Sequence, residues 1–70
     1  MTFAESKEYV LAIYPEAILS ERAGFNLQRY FLCFGDATLR GNIGFGYTED
    51  AAWHDTTENI QYKFLQKLEL

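Results

Sequence analysis

Seventy residues with 49% hydrophobic and 17% aromatic content and a formal net charge of -4 make a small, acidic, core-rich chain. That length allows a single domain over residues 1–70, and a chain of this size buries only about 60% of its unfolded surface, so a dense core or a partner has to stabilise it. Six Phe, five Tyr and one Trp supply such a core and exclude a disordered chain, while the acidic balance disfavours nucleic-acid binding by counterion release and leaves a nucleic-acid-mimicking inhibitor open.

Cys33 is the one cysteine. It has no partner for an internal disulfide, the usual staple of small secreted domains, so a cytoplasmic protein is expected. No basic start runs into an apolar stretch, and no apolar run approaches the roughly 20 residues of a membrane span, so no membrane partner is expected.

In chain order, the first element is a helix. Thr2 followed by Glu5 has capping-box spacing. At 100° per residue, Phe3, Val10 and Tyr14 fall within about 40° of one another, with Leu11 and Ile13 flanking. Pro15 disfavours helical geometry at Tyr14 and stops the helix there.

From Ala17 the pattern changes to short apolar runs between turn residues: "AILSER", "FNLQRYFLCF" and "LRGNIGFGY", separated by Ala23-Gly24 and "GDAT". A three-stranded antiparallel meander is the economical reading. Alternation puts Leu27, Arg29, Phe31 and Cys33 on one face of the second strand and Gln28, Tyr30, Leu32 and Phe34 on the other. Both faces are apolar toward its C-terminal half, which predicts at least partial cover on both sides of the sheet. In the third strand Leu39, Ile43 and Phe45 are expected to face the core.

The last element is predicted as a helix from Thr48, its N-cap, nearly to the chain end. Glu49 and Asp50 stand in the first turn and Lys63 and Lys67 late, as the helix dipole favours. Trp53, Ile60, Phe64 and Leu68 fall within about 60° and form its apolar seam, broadened by Leu65, with Ala51 and Tyr62 opposite. The expected fold is α+β: helix, three-stranded antiparallel meander, C-terminal helix, with Val10, Leu11, Phe31, Ile43, Phe45, Trp53, Ile60 and Phe64 as core.

Each chemical motif has a structural reading beside it. "GNIGFG" leads from a strand to a helix start, where a phosphate could sit. Its glycine order does not fit a dinucleotide fingerprint, and Glu49 and Asp50 repel an anion, so close helix–strand packing or a bulge is the better account. His54 and Asp55 look like a dyad, yet helix neighbours point about 100° apart, whereas His54 and Glu58 at i, i+4 face each other, so His54 and Asp55 are expected to be the first solvent-facing residues past the strand–helix joint. Cys33 could act as a nucleophile with His54, but its apolar strand reads as core. One His and one Cys do not make a structural zinc site. Phe25, Tyr30, Phe34 and Tyr47 with Arg22, Arg29 and Arg40 could form a stacking platform for bases, although core packing explains most of these rings. No catalytic, cofactor or metal residue is assigned.

"YPEAIL" at 14 to 19, "RYFLCF" in mid-chain and "GFGYTEDAAW" at 44 to 53 together resemble small uncharacterised phage and prophage proteins. In these a helix ends in Tyr-Pro-(Asp/Glu)-Ala, and a Gly-rich strand leads into Thr-x-x-Ala-Ala-Trp at the last helix. The resemblance implies structural roles: Tyr14 and Pro15 stop one helix, Thr48 caps the other, and Ala51, Ala52 and Trp53 dock it. With the small size and acidic charge it implies a non-enzymatic interaction protein, an accessory or anti-defence inhibitor of a host protein. A homo-oligomeric structural or accessory module, such as a homodimer, and a weak nucleotide or single-strand binder using aromatic and Arg residues are the alternatives. Tyr30, Phe34, Arg40, Glu49, Asp50, His54, Asp55 and Tyr62 are the candidate partner-binding residues.

Overall fold

The computed structural model describes residues 2–68, with side chains over residues 2–63. The capping box at Thr2 forms as expected: the Glu5 N–H donates to the Thr2 hydroxyl at 3.3 Å and the Thr2 N–H to the Glu5 carboxylate at 3.1 Å. Helix α1 spans Phe3–Ile13. It gives way at Tyr14 and Pro15 to a turn closed by the Ala17 N–H on the Tyr14 carbonyl at 3.0 Å. Strands β1 (Ile18–Ala23), β2 (Arg29–Phe34) and β3 (Asn42–Gly46) form an antiparallel meander in the order β1-β2-β3, followed by helix α2 over Glu49–Leu68. This is the helix–meander–helix α+β fold anticipated above. Thr48 opens α2 by accepting the Ala51 N–H on its hydroxyl and the Ala52 N–H on its carbonyl, both at 3.0 Å.

Two expected strands are shorter than their apolar runs. Residues Phe25–Leu27 form a 3-10 turn, with Asn26 and Leu27 both at φ 62°, so β2 begins only at Arg29. Leu39 has φ 55° and stands outside β3, in the loop where the Asp36 carboxylate accepts the Thr38 N–H. In both places a local turn overrides an apolar run that propensity would extend.

Directly opposed residues share a face of a sheet, so the register assigns the two sides. Leu19, Cys33 and Gly44 are opposed across the three strands, as are Glu21, Phe31 and Gly46; on the reverse side stand Ser20, Leu32 and Phe45, with Arg22 opposite Tyr30. The glycine side meets α2. A Cβ on Gly44 would collide with Thr56, and one on Gly46 with the backbone of Ala51 and Ala52, so the helix approaches β3 as closely as bare backbone allows. Phe45 therefore belongs to the other face and is 38% exposed, against the expectation that it packs in the core. Ile43 packs on the core cluster because a bulge, set between Cys33 and Phe34, releases it from strict alternation.

The core consists of Val10, Ala17, Cys33 and Trp53, with Leu11, Tyr14, Leu19, Ile43 and Ile60 packed around it. Phe31 is half-buried. Helix α1 rests on α2, where small Ser6 is buried and its carbonyl accepts the Thr57 hydroxyl at 3.2 Å. This narrow helix–helix contact buries Ser6 and Val10 and leaves Phe3 and Ile13 exposed, although the wheel placed both on or beside the core face. The seam residues Phe64, Leu65 and Leu68, and Lys67, lie outside the described side chains.

Candidate functional site

Both helices lie on the Cys33 face, and among the described residues no helix covers the reverse face, where Phe34 is buried and Ser20, Tyr30 and Leu32 are half-buried. That face carries Ile18, Ser20, Arg22, Tyr30, Leu32, Phe34, Phe45 and Tyr47. Its rings pack on one another, Tyr30 to Phe45 with centroids 5.5 Å apart and Phe45 to Tyr47 edge-on at 5.1 Å. The Arg22 guanidinium lies 5.7 Å from the Phe34 ring centroid. Self-packing rings and a cation over a ring let an apolar sheet face persist beside water.

The hairpin between β1 and β2 extends this face. Gly24 donates its N–H to the Gln28 carbonyl at 2.7 Å and closes a loop whose tip is Phe25, Asn26 and Leu27. Phe25 is 95% exposed and Leu27 86% exposed. Leu27 sits in the left-handed region, which costs a residue with a Cβ about 1–2 kcal/mol. Behind the tip, Gly24, Phe25, Gln28, Tyr30, Phe45 and Tyr47 line a shallow groove. Arg22 stands opposite Tyr30 on the same face, whereas Arg29 points to the other face, with Glu21 and Phe31, and makes a solvent-exposed ion pair with Glu21 at 3.4 Å.

The predicted site residues divide between this surface and others. Tyr30 lies in the groove. Phe34 shares the open face but is only 4% exposed, so it supports the surface and presents little of it. Arg40 is exposed in the β2–β3 loop, and Glu49 and Asp50 are exposed in the first turn of α2. Tyr62 is 63% exposed beside Asn42, Asn59 and Lys63, away from the hairpin groove. His54 bonds Glu58 at 2.9 Å on the solvent side of α2, the i, i+4 geometry expected. Asp55, expected beyond the helix–strand joint and facing solvent, turns to the sheet instead. Its carboxylate accepts the Phe45 N–H at 2.9 Å and the Asn59 side-chain amide at 3.3 Å, and that amide also donates to the Ile43 carbonyl at 3.0 Å.

The groups with chemical promise are built into the frame. Cys33 is fully buried, and burial pushes its thiol up against a smaller opposing pull from the Thr56 hydroxyl. A thiol held in that form is a poor nucleophile. Among the described residues no group of three or more His, Cys, Asp or Glu converges to hold a metal ion, and no helix is long and apolar enough to cross a membrane.

Sequence reasoning placed Phe25 among the rings but took Leu27 as a strand residue and missed the tip. The available signal was Ala23-Gly24 followed by Asn26, a residue tolerant of left-handed backbone. Compared with protein-family models, with curated proteins and with solved structures, the chain finds no match in any of the three.

Proposed function

We propose that this chain is a non-enzymatic interaction protein of phage or prophage type, which blocks a host protein by docking its hairpin tip and open sheet face into it. The carrying observation is the near-complete exposure of Phe25 and Leu27 on a short closed hairpin. Burying such a side chain is worth roughly 1.5–3 kcal/mol, which a partner pocket would recover. Contiguous apolar patches rimmed by polar residues mark interaction sites, and aromatic side chains with Arg dominate the energetics of interfaces. A hairpin held by the Gly24–Gln28 bond also loses little freedom on docking.

A weak binder of nucleotides or single-stranded nucleic acid would use the same rings with Arg22. The exposed acids Glu49 and Asp50, and the net charge of -4, weigh against it.

The test compares affinity capture from bacterial lysate by the wild type, by Phe25→Ser/Leu27→Ser and by Glu49→Gln/Asp50→Asn. A stoichiometric protein retained by the wild type and the acid variant, and lost with the tip variant, is expected. Capture unchanged by the tip variant, or a low-salt shift with oligonucleotides and no captured protein, would contradict the proposal.

A further inference from the structure

The two edges of the sheet are treated differently. The hairpin bond from Gly24 to Gln28 marks a hydrogen-bonded pair, and such pairs recur at every second position of an antiparallel ladder. Arg22–Tyr30, Ser20–Leu32 and Ile18–Phe34 therefore bond across to β2, and Leu19, Glu21 and Ala23 direct their backbone groups outward. On β3 the same count sends the groups of Ile43 and Phe45 outward, and there Asn59 and Asp55 of α2 cap them. No described hydrogen bond caps the outward groups of β1. An uncapped edge is a template for another strand.

We propose that β1 pairs antiparallel with β1 of a second copy of this chain, about a two-fold axis through Ser20. This goes beyond the partner reading and uses a different surface. A two-fold strand pair always sets one residue opposite itself, and the sequence of β1 decides which. An axis at Glu21 or Arg22 opposes like charges, which destabilises a pair. An axis at Leu19 or Ile18 sets Glu21 or Leu19, in the body of the strand, opposite Ala17, whose N–H is already given to Tyr14 at 3.0 Å, whereas an axis at Ser20 sets only the end residue Ala23 there. An axis at Ala23 runs into the 3-10 turn. With Ser20 on the axis, Leu19 faces the second copy's Glu21 and Ile18 faces its Arg22. All outward groups of Leu19 and Glu21 are paired, and the two open aromatic faces join into one surface. The edge is short, so the dimer belongs to the class burying less than about 1,200 Å², with an expected dissociation constant on the order of 100 μM.

The test joins sedimentation equilibrium with single-cysteine cross-linking. Serine pairs at a non-hydrogen-bonded site stand about 4.5 Å apart at Cα, within the range a disulfide spans. Ser20→Cys should oxidise to a covalent dimer. Ile18→Cys and Arg22→Cys should not do so singly, but should cross-link to each other when mixed. Ser20→Lys, and Glu21→Pro, which removes an outward N–H from an edge that tolerates proline, should weaken dimerisation at least roughly tenfold with circular dichroism unchanged. Phe25→Ser/Leu27→Ser should leave it intact, which separates this proposal from the partner reading. A wild type that stays monomeric at about 1 mM, or a dimer that survives both edge variants in folded form, would overturn it.

Discussion

The Asp55 carboxylate accepts the backbone N–H of Phe45 at 2.9 Å, so a side chain of α2 completes the outer edge of β3. The bond is charge-assisted and replaces the strand neighbour that β3 lacks. At this exposed edge water can replace the lost acceptor, so removing it costs about 0.5–1.5 kcal/mol. Asp55→Ala should lower the free energy of unfolding by that amount in urea, and Asp55→Asn by less. An Asp55→Ala variant as stable as the wild type would remove the edge-capping role.

Gly44 and Gly46 are predicted to be the least replaceable residues of the chain. A Cβ at either position meets α2, and at Gly46 the obstacle is backbone, which cannot rotate away. Overpacking of this kind costs about 1–3 kcal/mol and sometimes more, a large share of what a 70-residue domain can hold in reserve. Gly46→Ala should abolish cooperative thermal unfolding, with Gly44→Ala close behind. Gly41, which has φ 62° but open space around it, should lose only the conformational cost of its turn.

At the hairpin tip the sign reverses. Phe25→Ser should change stability by no more than about 0.5 kcal/mol, as for most exposed positions. Leu27→Gly should be neutral or stabilising by up to about 1 kcal/mol, because it relieves a left-handed backbone. A tip variant that unfolds the protein in a denaturant melt would show that these side chains serve the fold and not a partner.

The acid limb of stability should carry the capping box. The Thr2 backbone N–H, and then its hydroxyl, hold the Glu5 carboxyl below its ordinary value, and the Thr38 hydroxyl, and then its backbone N–H, lower that of Asp36. A lowered folded pKa means that the native state favours the charged form. The contribution is then complete above the usual carboxylate range near pH 4 and is lost as pH falls through the lowered values. Melting temperatures of the wild type should drop more between about pH 5 and pH 3 than those of Glu5→Gln/Asp36→Asn. Parallel curves would refute the assignment.

Much of the frame was legible because it rests on local rules. Thr2 with Glu5, Pro15 after Tyr14, and Thr48 before two acids mark helix ends through hydrogen bonds within a few residues, and each stands where those rules put it. What escaped were the faces. Alternation alone made Phe45 a core residue, yet the helix needs the bare side of β3, and only the approach of Thr56 and Ala52 reveals which side that is. The bulge that frees Ile43 is likewise a property of two strands together. Asp55 read as a solvated helix residue, since nothing in its neighbours announces a strand edge ten residues earlier in sequence. The exposed tip was hidden because Leu27 in an apolar run looks like strand until the left-handed turn at Asn26 removes it.

Under the proposed function a partner meets the hairpin tip and not the acidic face of α2. The most direct measurement places a photo-crosslinking amino acid at Phe25 in one variant and at Glu58 in another, expresses each in bacterial cells and compares the adducts. One dominant protein adduct is expected from position 25 and none from position 58. An adduct from position 58 alone, or none from either, would contradict it.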